Sequence, residues 1–77
     1  MPPTNRPEYR RFLVQLRAAR ERAGLTQAEV ARRLRRPQSF VSKCEAGERR
    51  VDVVELAAFA RVYRHPLGLF LGQGRGQ

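Results

Sequence analysis

A chain of 77 residues with 16 Lys or Arg, 7 Asp or Glu, a formal net charge of +9 and 42% apolar residues has room for one domain and one core. It is too short for the large nucleotide-binding and barrel enzyme folds. One cysteine, Cys44, and one histidine, His65, exclude an internal disulfide and a four-ligand zinc module, so no metal or cofactor is expected and the setting reads as reducing and cytoplasmic. No apolar run approaches the ~20 residues of a membrane span, and no apolar segment of the signal-peptide kind follows Met1. The basic residues, all arginine except Lys43, call for a polyanionic partner.

Residues 1–6 contain two prolines and read as a flexible arm ahead of a domain over 7–71. Pro7 suits the first turn of a helix, where its missing N–H costs nothing. From Glu8 to Ala23 there is neither Gly nor Pro, and Tyr9, Phe12, Leu13, Leu16, Ala19 and Ala23 make one apolar stripe at three- and four-residue steps. Gly24 can take positive φ and end this first helix. A second start follows at once. Thr26 and Glu29 have the spacing of a capping box, and Leu25 and Val30 that of a hydrophobic staple. The second helix runs to about Leu34 with Val30, Ala31 and Leu34 inward. Pro37 breaks it by disfavouring helical geometry at Arg36.

The third helix spans Gln38 to Ala46 and stops at Gly47, with Val41 and Cys44 toward the core. Phe40, in its first turn, either packs on the turn or touches thymine methyls. Asp52 and Glu55 form a second capping box. The fourth helix then presents Val53, Leu56, Ala57, Phe59, Ala60 and Tyr63 as an apolar face. His65-Pro66 ends it, and a short fifth helix is expected over Pro66 to Leu71. Residues 72–77, half of them glycine, read as a flexible tail. There is no strand alternation, so the fold class is all-α with five helices.

The stretch from Gln27 to Ala46 carries the functional signal. Two short helices joined by a three-residue break cross steeply, as in a helix-turn-helix. Ala31 is small enough for the crossing, and Val30, Leu34, Val41 and Cys44 close its corner. What is left facing outward on the third helix is Gln38, Ser39, Ser42 and Lys43. Gln pairs bidentately with adenine, Lys reaches guanine acceptors, and Ser is permissive. Arginines at helix ends and loops supply phosphate contacts.

The segments Thr26-Gln-Ala-Glu-Val-Ala and Gln38-Ser-Phe-Val-Ser-Lys-Cys-Glu-Ala-Gly-Glu-Arg resemble the Cro/CI-type, or XRE, helix-turn-helix family over about residues 12 to 71. The resemblance implies a compact lambda-repressor-like domain of five helices with the second and third as reading unit. It also implies binding as a two-fold dimer to palindromic double-stranded DNA. On the family's motif, Gln38, Ser39, Ser42 and Lys43 fall at base-reading positions. Gln27 falls where a phosphate is contacted and Gln38 braced, and Arg49 and Arg50 where the DNA backbone is held. Arg36, in the turn, joins this phosphate set. Arg35 stands where the family usually has Gly and must either tolerate the turn's backbone conformation or change the turn's shape.

The reading is therefore a sequence-specific transcriptional regulator of the nucleoid, a repressor acting by occlusion. Leu67, Leu69, Phe70 and Leu71 form either a homodimer patch or the lid of the domain's own core. An antitoxin or restriction-modification control module, with a toxin or polymerase as protein partner, is the rival. An RNA-binding role lacks an exposed aromatic pair for stacking. An enzyme is the weakest reading, because Cys44 and His65 make no nucleophile–base set.

Overall fold

The computed structural model describes residues 6–70. Five helices follow one another: α1 (Pro7–Arg22), α2 (Gln27–Leu34), α3 (Gln38–Ala46), α4 (Val53–Tyr63) and α5 (Leu67–Phe70). No strand occurs among the described residues. Of the expected arm over 1–6 only Arg6 is among them, and residues 1–5, Leu71 and the tail over 72–77 lie outside.

Local chemistry sets each boundary. Pro7 occupies the first turn of α1, and Gly24 follows its end at φ +74°. At the start of α2 the Thr26 hydroxyl accepts the Glu29 N–H at 3.1 Å, while the Glu29 carboxylate accepts the Thr26 N–H at 2.8 Å. Those bonds hold the Glu29 carboxyl below the usual carboxylate range. Asp52 and Glu55 repeat the box at α4, at 2.7 and 3.0 Å. Gly47 ends α3 at φ +79°, with the Glu48 N–H bonded back to the Lys43 carbonyl at 3.0 Å. Arg35 does take the left-handed turn conformation, at φ 59°, which lets the Arg36 N–H reach the Ala31 carbonyl at 3.0 Å. Arg64 ends α4 in the same way at φ 52°.

The core is one cluster to which every helix contributes. Leu16 and Ala19 come from α1, Val30 and Ala31 from α2, and Phe40, Val41 and Cys44 from α3. Leu56, Phe59 and Tyr63 come from α4, and Phe70 from α5. Leu34 packs at its edge. Phe40 is 7% exposed and stacks parallel to Phe59 with centroids 6.0 Å apart, so it packs rather than facing outward. Burial pushes the Cys44 thiol up, away from ionisation. Two expected inward residues are not inward. Val53 is 71% exposed and Ala23 is exposed, because each sits in a terminal turn that overshoots the core. The core face of α4 begins at Leu56.

Polar contacts complete the placement of α3. Glu45, near its end, is buried against Arg20 of α1. The guanidinium donates to both carboxylate oxygens, Nε at 2.6 Å and a terminal nitrogen at 3.1 Å, with side chains only 11% and 6% exposed. Another terminal nitrogen of Arg20 donates to the Leu25 carbonyl at 3.0 Å. At the other edge the Val51 N–H donates to the Tyr9 hydroxyl at 3.0 Å, tying α1 to the α3–α4 loop.

Two outcomes follow. Arg20→Met leaves the Glu45 carboxylate buried without its cation and costs about 3–5 kcal/mol of stability, read by urea unfolding. Arg35→Gly raises stability by about 0.5–1 kcal/mol. Relief of a left-handed side chain recovers ~1–2 kcal/mol, and the greater freedom of the unfolded chain takes part of it back. A lower unfolding midpoint for Arg35→Gly would contradict this account of the turn.

Candidate nucleic-acid interface

Gln38, Ser39 and Lys43 are exposed on α3, and Ser42 is half-buried beside them. Positions one and four apart put them on one face, opposite the fully buried Val41 and Cys44. Pro37 caps α3 with no side-chain acceptor, and the first turn carries no acid. The positive end of the helix is thus without a side-chain acceptor or acid of its own. Lys43 makes no ion pair among the described residues.

The charge balance of this face depends on where Glu45 goes. It is the only acid within α3, and its pairing with Arg20 removes it from the surface. Gln27, the first residue of α2, donates its side-chain amide to the same carboxylate at 3.0 Å. The brace expected between Gln27 and Gln38 is therefore made to Glu45 instead. The second amide hydrogen of Gln27 remains for an external acceptor.

A second carboxylate governs the other flank. Glu55 accepts two bonds from Arg49, at 2.8 and 2.9 Å, and Arg36 approaches it to 3.9 Å. Both guanidinium groups also lie over the Phe40 ring, Arg36 at 3.9 Å and Arg49 at 4.8 Å from its centroid. Glu55 is thus more than half of a capping box. It anchors the two arginines that cover the start of α3, and the Arg49 guanidinium holds its carboxyl below the usual carboxylate range.

The phosphate set expected from sequence is therefore uneven. Arg50 is exposed and free of ion pairs among the described residues. Arg36 is loosely held and Arg49 firmly held. Of the apolar end, Leu67 and Leu69 are 40% and 44% exposed, whereas Phe70, at 1%, belongs to the core. Phe70 is thereby packed in the domain's own core. Leu71 lies outside the described residues.

Sequence reasoning passed over Arg20 and Glu45. Their signal was present: Arg20 is four residues after Leu16 and three before Ala23, on the stripe itself, and an arginine there needs a carboxylate.

The geometry is that of two helices packed on each other, with Val30, Ala31 and Val41 in the common core, the second helix having a polar, outward face that carries Lys43. A family model described as a helix-turn-helix domain matches residues 11–70. The chain belongs to that family. A helix-turn-helix domain is a DNA-binding unit whose second helix enters the major groove, and α3 is the second helix here. No curated protein matches the chain.

The anchor at Glu55 has a pH signature. A carboxyl with a depressed folded pKa contributes stability that is full above its unfolded value, about 4.3, and is lost as pH falls through the folded value. Glu55→Gln is expected to lower stability at pH 7 and to show a smaller deficit at a pH below that unfolded value, measured by urea unfolding at both. An equal deficit at the two pH values would assign the loss to the cap alone.

Proposed function

We propose that the protein is a Cro/CI-type, sequence-specific regulator of transcription that binds double-stranded DNA as a dimer on a palindromic operator and represses by occlusion. The observation that carries the reading is the outward face of α3. It offers Gln38, Ser39, Ser42 and Lys43 together, with its single acid turned inward. Gln38 supplies a donor–acceptor pair for adenine, Lys43 a donor for guanine N7 or O6, and the serines adaptable hydroxyls. Arg50, the free amide hydrogen of Gln27 and the loosely held Arg36 bracket that face as phosphate contacts, which set register and affinity. Arg49 acts one step removed, by covering Phe40 and fixing the loop that carries Arg50.

A single helix reads too few base pairs to define a genomic site, and two copies reading half-sites about 34 Å apart meet the need. Leu67 and Leu69 are the exposed apolar residues that support a contact between copies at this end, with Leu71 next to them in sequence. The setting is cytoplasmic, at the nucleoid.

Selection from a random duplex pool at ~150 mM salt, near physiological strength, is expected to return an inverted repeat. On the recovered site, Gln38→Ala and Lys43→Ala narrow the gap between specific and random DNA. Arg50→Ala weakens both alike and lowers the salt slope by about one. Equal losses on both duplexes for all three variants would sink the assignment of α3 as the reading helix.

A further inference from the structure

We infer that the groove between α1 and the α3–α4 loop is a binding site for a small amphiphilic carboxylate, with an apolar body about the size of one ring and a short chain. The groove has a volume of about 500 Å³, within the range of ~300–1,000 Å³ typical of small-molecule sites. Its walls and floor are Tyr9, Phe12, Val51, Leu56 and Phe70. The rings already form a tilted series, Tyr9 to Phe12 at 5.2 Å and Phe12 to Phe70 at 6.2 Å between centroids, which a further ring extends edge to face. Tyr9 is fixed there by the bond from the Val51 N–H to its hydroxyl.

The rim decides the charge of the occupant. Arg6, Arg11 and Arg50 stand around it with a single acid, Glu8, and none of the four is in an ion pair among the described residues. An apolar floor with an unneutralised cationic rim fits an anionic head on an apolar body. A second copy, with a net charge of +9, brings the wrong sign, and the segment from Leu71 to Gln77 adds Arg75 and no acid. Bare phosphodiester satisfies the rim and leaves the floor uncovered. This site shares Arg50 with the proposed phosphate contacts but none of the residues on the outward face of α3, and the inference does not require that face to read DNA.

The test uses the full chain and three probes that share one body: 4-phenylbutyrate, 4-phenylbutan-1-ol and 4-phenylbutylamine. Amide and aromatic NMR shifts are followed during titration. The carboxylate is expected to give saturable shifts at Tyr9, Phe12, Val51 and Leu56. Its binding should be at least about tenfold tighter than the alcohol's, equivalent to ~1.4 kcal/mol, with none for the amine. Arg11→Gln reduces the carboxylate to the alcohol's affinity. Arg61→Gln, which removes the same charge from the exposed part of α4, leaves it unchanged. Equal binding of carboxylate and alcohol overturns the inference. So does an equal loss in both variants, or a non-saturating response spread over Arg32, Arg33 and Arg61.

Discussion

The placement of the outward-facing helix depends on the buried pair between Arg20 and Glu45. α1, the longest helix at 16 residues, is the backing against which the rest is set, and Arg20 is where it grips α3. The same two side chains also engage the carbonyl of Leu25 and the amide of Gln27. The α1–α2 loop, the first turn of α2 and the last turn of α3 are thus fixed at one point. A buried ion pair contributes little net stability beside an apolar packing of the same volume. Its contribution here is directional: the planar guanidinium fork accepts the carboxylate in one orientation, and apolar contacts through Val41 and Cys44 alone do not impose one.

Glu55 performs a related task at the opposite end of α3. One carboxylate closes a helix cap, receives both arms of Arg49 and draws in Arg36, and the two guanidinium groups cover Phe40. Neighbouring arginines in one loop are therefore different objects. Arg49 is a structural group whose donors are largely spent internally, while Arg50 keeps its donors for something outside. The net charge of +9 does not reveal this division. It follows from which guanidinium lies within reach of a carboxylate.

Local features of the fold were legible because their causes are local. Both capping boxes, the positive-φ glycines at 24 and 47, and the break at Pro37 involve residues at most a few positions apart, so spacing alone exposes them. Arg35 was legible as a constraint only through the resemblance, which puts it where the family usually has Gly. The contacts that tune the interface join residues 25 and 42 positions apart, Arg20 to Glu45 and Tyr9 to Val51. A polar pair between helices has no period: Arg20 stands on the apolar stripe of α1, but no spacing singles out Glu45 as its partner. Periodicity also misjudged extent. It placed Val53 inside because its face is right, although its turn lies beyond the core, and it could not distinguish Phe70, buried, from Leu69 beside it, exposed.

With Glu45 committed inward, α3 has no carboxylate to offer a base pair. The exocyclic amino group of cytosine, which an acidic side chain would accept from, can be met from this helix only by the carbonyl of Gln38 or a serine hydroxyl. Guanine and adenine, whose major-groove edges present acceptors to Lys43 and a matched donor–acceptor edge to Gln38, are better served. On the proposed reading of DNA by α3, a recognised sequence is accordingly defined by its purines, strand by strand, and its pyrimidines follow by complementarity.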